Sequence, residues 1–149
     1  MGLTLNIEKQ DYVLLSEQDG NSVELSRMTN GAQRLLPGTG VPTEALLEAA
    51  IETAENWLMP YASRQQGQVL EVKDPTGRLA TGLLVVMETA KQIWSIADIE
   101  EGFLELVDLT TGRSVPAALI EHRLFVADWL LVREFAHHGQ FAQVRFSSN

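Results

Sequence analysis

The chain contains no cysteine among its 149 residues. That excludes disulfide scaffolds, thiolate nucleophiles and cysteine-bound metals. Histidine is scarce: only His122, His137 and His138. Positive charge is scarce too, with 11 Lys and Arg against 20 Asp and Glu and a net charge of −9. The basic residues are dispersed singly along the chain, from Lys9 to Arg145. Nucleic acids and anionic membranes require a basic face, so neither is an expected partner. The longest apolar run, Leu83 to Met87, is far shorter than the roughly 20 residues that span a bilayer. There is no phosphate-loop lysine motif and no nucleophile elbow. Residues 1–8 lack the basic and apolar regions of a signal peptide, and Asn6 stands where a myristoylation pattern wants Ser or Thr. A cytoplasmic protein is the expectation.

What is present is an ordinary globular composition, 45% hydrophobic and 21% charged. A chain of this length reads as one domain, 1–149, able to bury about two thirds of its surface without staples. The first 28 residues alternate as strands do, and Gln18-Asp19-Gly20-Asn21 is a hairpin turn signal. Residues 29–42, with Asn30-Gly31 and Pro37-Gly38-Thr39-Gly40, read as a loop.

Thr43 is a good N-cap, and a helix is predicted over about 43–59. Leu47, Ala50, Ile51, Ala54, Trp57 and Leu58 form its apolar stripe, and Pro60 stops or kinks it. Strands are predicted at 69–73, 79–87, 93–99 and 103–109. Asp74-Pro75-Thr76-Gly77 and Thr110-Thr111-Gly112 serve as turns. Leu83 to Met87 has no polar side, so as a strand it needs cover on both faces. Residues 116–137 read as a second helix, from Pro116 to a cap at Gly139. Phe125, Val126, Trp129 and Val132 keep a strand reading open there. Residues 141–146 close as a strand. The fold class is α+β: an antiparallel sheet of hairpin-linked strands packed by one or two helices.

Few residues suggest chemistry. His137 and His138 could join His122 and Asp128 around a metal, but the absence of cysteine and of ligand spacing leads to the expectation of no metal. Histidines at a helix C-terminus are equally placed by the dipole. The loop Pro37-Gly38-Thr39-Gly40 could cradle an anion, yet no basic residue follows and Glu44 occupies the positive helix end. Asp98, Glu100, Glu101, Glu105 and Asp108 form an acidic cluster without calcium-loop spacing.

Glu44, Glu48, Glu52 and Glu55 make a stripe with no compensating cation four residues on. It reads as a solvated face or as a docking surface for a basic protein. Trp94, Trp129, His122 and Asp128 are pocket candidates, although separated tryptophans more often belong to a core. No cofactor is expected. The missing catalytic signatures point to a non-enzymatic accessory or interaction protein, a small acidic homodimeric adaptor or chaperone. The alternatives are a small-molecule-binding domain or cofactor-free enzyme with a pocket between sheet and helix, and a structural subunit of a larger assembly.

Overall fold

A computed structural model describes residues 2–40, 42–62, 65–87, 91–111 and 123–148. In chain order it contains β1 (Gly2–Ile7), β2 (Tyr12–Gln18), β3 (Asn21–Met28), α1 (Gly31–Leu35) and α2 (Glu44–Ala62). Then come β4 (Val69–Lys73), α3 (Arg78–Met87), β5 (Ile93–Ser95), α4 (Ile96–Thr111), α5 (Arg123–His138) and β6 (Gln143–Ser147). The fold is α+β, with one six-stranded sheet in the order β3-β2-β1-β4-β6-β5. No helix among the described residues is long and apolar enough to cross a membrane.

The β1–β2–β3 meander follows directly from local sequence. Leu3, Leu5 and Ile7 are buried, each at 1% exposure or less. Gln18 pairs with Asn21 across a two-residue turn. Asp19 (φ 49) and Gly20 (φ 79) both take the positive φ that such a turn needs. The sheet is mixed, however, not antiparallel throughout. β1 pairs with β4 in parallel, and so does β4 with β6. The long connections make this possible, because a parallel pair needs a crossover and α2 supplies the first one.

Helix α2 matches its prediction. Thr43 Oγ1 accepts the Leu46 N–H at 3.2 Å, and Leu47, Ala50, Ala54 and Leu58 are buried. Pro60 lies within the last turn and does not end the helix. Helix α5 realises the second predicted helix over Arg123–His138; the proposed start at Pro116 lies outside the described residues. It packs against α1, α2, α3 and α4, and is buried on nearly every side, as a central helix must be. Its end is a Schellman motif. The Phe141 N–H donates to the Ala136 carbonyl and the Gln140 N–H to that of His137. Gln140 (φ 51), not Gly139, takes the left-handed position.

Two predicted strands are helices. Residues 78–87 form α3, with Leu79 and Leu83 inward and Leu84 at 53% exposure. Apolar residues surround this helix, so a short window shows no period to distinguish it from a strand. Gly82 is decisive in the packing: a Cβ there would lie 2.1 Å from Cδ1 of Phe125, so α3 can close on α5 only through glycine. The expectation of self-association rested on a strand needing cover on both faces, and that strand does not exist.

Residues 96–111 form α4 rather than a strand and hairpin. Ser95 and Asp98 exchange hydrogen bonds as a capping box, at 3.1 and 3.0 Å. Ile99, Phe103 and Leu106 then recur along the buried side.

Candidate functional site

In open sheets with parallel strands, ligands bind outside the carboxyl ends of those strands. Here β4 ends at Lys73 and β6 at Ser147, and a cleft of about 180 Å³ opens beside them. Its lining includes Asp74, Gly77, Leu83, Lys91 and Phe146. Asp74-Pro75-Thr76-Gly77 is the predicted turn, closed by a 3.1 Å bond from the Gly77 N–H to the Asp74 carbonyl. It leads into α3. Asp74 Oδ2 accepts the Ala80 N–H at 3.0 Å and so caps that helix. The other carboxylate oxygen, Oδ1, is buried without a hydrogen-bond partner among the described residues. Asp74 is only 4% exposed, so an unmatched anionic oxygen lies at the cleft wall. Lys91 stands at the rim, 2.9 Å from Asp98 Oδ2 and stacked 5.0 Å over the Trp94 ring.

Beside the cleft is a buried polar network. Asp128, fully buried on α5, accepts from the Tyr12 hydroxyl at 2.7 Å and from Arg78 Nε and Nη2 at 2.7 and 2.8 Å. Arg78 also donates to the Lys9 carbonyl at 3.0 Å, tying β1's end to the start of α3. Burial pushes the Asp128 carboxyl above the usual carboxylate range, against the pull of Arg78 and Tyr12. Burial, and then the Asp128 charge, pushes the Tyr12 phenol well above its ordinary value. Burial works against the Arg78 charge, but Asp128 outweighs it and the guanidinium is held more firmly protonated.

A second cluster joins α2 to α5. His138 Nε2 lies 3.0 Å from Glu55 Oε1 and 3.2 Å from Glu134 Oε2. Arg133 donates to Glu134 through Nη1 and to Glu100 at 3.1 and 3.4 Å. Burial works against the Arg133 charge, and its two carboxylates raise it nonetheless.

The residues singled out from sequence scatter. Glu44, Glu48 and Glu52 are exposed, whereas half-buried Glu55 turns toward His138. Its partner is 83 residues away rather than four. Trp94 and Trp129 are core, with ring centroids 5.4 Å apart. They border the cleft through its lining residues, Trp129 by stacking on Phe146 and Trp94 by contact with Lys91. Asp128 is the pocket candidate that does join a polar network. His122 lies outside the described residues.

The loop Pro37-Gly38-Thr39-Gly40 holds a cation, not an anion. The carbonyls of Pro37, Thr39 and Gly40 accept from Arg123 at 2.7–2.9 Å. The acidic cluster runs along α4. Tyr12, Asp74, Arg78 and Glu134 were missed. Glu134 did carry a signal, an acid among the apolar residues of α5, since a buried acid must find a partner.

No family model and no curated protein matches the sequence. Solved structures do match. The fold is similar to that of a PPX-GPPA enzyme of Aquifex aeolicus, with TM-score 0.69 and 10% identity, over 97% of this chain and 52% of that one. It is also similar to the type II variant of the Aquifex aeolicus Ppx/GppA phosphatase, with TM-score 0.66 and 11% identity, over 97% and 52%. This chain therefore spans about half the length of the chains it matches. At such identity the likeness shows the fold alone. It overturns the expectation of a non-enzymatic adaptor or chaperone, because solved structures sharing the fold include a PPX-GPPA enzyme and a Ppx/GppA phosphatase. Absent sequence motifs were poor grounds for that expectation, since catalytic groups assemble in space and need no contiguous signature.

Proposed function

We propose that this chain is one domain of an enzyme acting on a phosphate-bearing small molecule. One observation carries the reading: nearly the whole chain, 97%, corresponds to about half of a phosphatase fold. The cleft beside Asp74 supports it, because it lies where such sheets present their ligands. At about 180 Å³ the cleft is smaller than the several hundred Å³ of a site enclosing a whole drug-sized ligand. It takes the reacting end of a substrate, and the remainder lies outside the cleft.

In this reading Asp74 Oδ1 is the general base that accepts a proton from the attacking water. Its partner oxygen is fixed by the Ala80 N–H, so the carboxylate is already oriented. Lys91 at the rim supplies positive charge for the phosphate group. Arg78, held by Asp128 and the Lys9 carbonyl, is a positioning residue that fixes the turn carrying Asp74.

The test is phosphate release by the full chain from p-nitrophenyl phosphate, pyrophosphate and nucleotides, with and without magnesium. Asp74→Asn keeps the helix-capping acceptor but removes the base, and turnover should fall about 10²- to 10⁴-fold. No phosphate release from any substrate, together with no change in melting temperature on adding them, would refute the reading.

A further inference from the structure

We infer that Glu55, Glu134 and His138 form a binding site for one divalent transition-metal ion, of the zinc or manganese class, that pins α2 to α5. This runs against the sequence expectation of no metal. Glu134 and His138 are four residues apart on α5 and so share one helix face. Helix α2 packs against that face and brings Glu55 across. One ligand atom from each residue, the His138 ring nitrogen and the two carboxylate oxygens, lies within 4.8 Å of the others. Two of the separations are 3.0 and 3.2 Å. Ligands about 2.1 Å from a tetrahedral metal stand roughly 3.4 Å apart, so small side-chain rotations suffice.

An independent observation concerns Glu134 itself. The residue has 0% exposure, and its buried Oε2 accepts no hydrogen bond among the described residues, although His138 Nε2 lies 3.2 Å away. Oε1 is already fixed by Arg133. A buried carboxylate oxygen in that setting calls for a cation, either a metal ion held jointly with the imidazole or the imidazolium of His138 itself. Around the gap, three carboxylates (Glu55, Glu100 and Glu134) face one guanidinium, Arg133. A divalent ion with neutral His138 removes that imbalance. Arg133 then orients the Glu134 ligand, as outer partners of metal sites do.

Imidazole with two carboxylates suits zinc or manganese, and no softer ligand competes. The side chains of Glu55 and His138 are 38% and 28% exposed, so the ion enters from solvent and can keep water as further ligands. Glu134 and His138 lie six and ten residues along α5 from Asp128, about 9 and 15 Å, and none of the three ligands lines the cleft.

The experiment uses the untagged full chain, stripped with chelator. Zinc or manganese is titrated by calorimetry, thermal melting is followed, and metal content is measured after dialysis. One ion per chain and a melting temperature several degrees higher are expected. His138→Gln and Glu55→Gln, both partly exposed, should stay folded and lose binding at least tenfold. The competing arrangement is a protonated His138 bridging both carboxylates. In that case neither metal raises the melting temperature nor survives dialysis, and the inference fails. Equal binding by both variants also overturns it. The readout is binding and melting, so it stands or falls apart from phosphate release.

Discussion

Removing the Asp128 charge is the sharpest test of the network beside the cleft. Asp128 has no exposed surface, and its carboxylate accepts three hydrogen bonds, at 2.7, 2.7 and 2.8 Å. Asparagine has the same shape but turns one acceptor into a donor facing the Arg78 fork. Removing one partner of a buried pair costs about 3–5 kcal/mol, because the other charge is left uncompensated. The Arg78 side chain keeps 13% exposure and its bond to the Lys9 carbonyl, which places Asp128→Asn near the lower end, about 3 kcal/mol. For a chain of this length that corresponds to a melting temperature lower by roughly 6–12 °C.

Arg78→Met alone leaves a buried carboxylate with Tyr12 as its remaining donor, and should cost as much or more. The double variant contains neither charge, and should be more stable than either single variant. Urea unfolding at pH 7, followed by circular dichroism, measures all four proteins, provided the denaturant slopes stay equal. A loss below about 1 kcal/mol for Asp128→Asn, or a double variant as unstable as the sum of the singles, would show that the pair is not coupled as described.

Gly82→Ala should destabilise by about 1–3 kcal/mol despite alanine's helix preference of about 1 kcal/mol, because the new methyl meets the Phe125 ring. A more stable variant in the same unfolding assay would place Gly82 away from α5. The Lys91 hydrogen bond, with the Ser95 N–H, holds the Asp98 carboxyl below its ordinary 3.8. Its stabilisation is therefore present above about pH 4 and lost as pH falls through the lowered value. Asp98→Asn should melt lower than wild type at pH 7 and converge with it toward pH 3. A difference independent of pH would remove the carboxylate from the account.

Elements defined by neighbours in sequence were readable. The β2–β3 hairpin needs only Asp19 and Gly20 with positive φ, and α2 needs only its Thr43 cap and one stripe. Elements defined by their surroundings were not. Leu83 to Met87 carries apolar residues on every side of α3, so the pattern lacks a period, and the glycine that admits Phe125 looked like a strand interruption. The Ser95–Asp98 capping box and the spacing of Ile99, Phe103 and Leu106 did announce α4, but were masked by acids that resemble a turn. Parallel pairing of β4 with β1 and with β6 is non-local, and no local pattern encodes it. The sites are more distant still: Asp128 meets Tyr12 across 116 positions, and His138 meets Glu55 across 83.

Hydrogen-bond accounting separates the buried acids by role. Asp128 has donors on both oxygens, two from Arg78 and one from Tyr12, so its charge is satisfied within the fold. Such a group holds structure in place and has no oxygen left for a ligand. Asp74 and Glu134 differ from it in the same way. Each has one oxygen bound by the protein, by the Ala80 N–H or by Arg133, and one buried oxygen that accepts no hydrogen bond among the described residues, that of Glu134 facing His138 Nε2 at 3.2 Å. Fixing one oxygen orients the other, and burial sharpens whatever it meets, because electrostatic interactions strengthen away from water. A buried oxygen without a hydrogen bond costs stability that a fully bonded structural acid would not cost. Their surroundings then assign the two chemistries. Asp74 stands in a cleft at the strand ends, where a proton acceptor can serve a substrate. Glu134 faces an imidazole and a second carboxylate across a ligand-sized gap, where a cation is the matching partner.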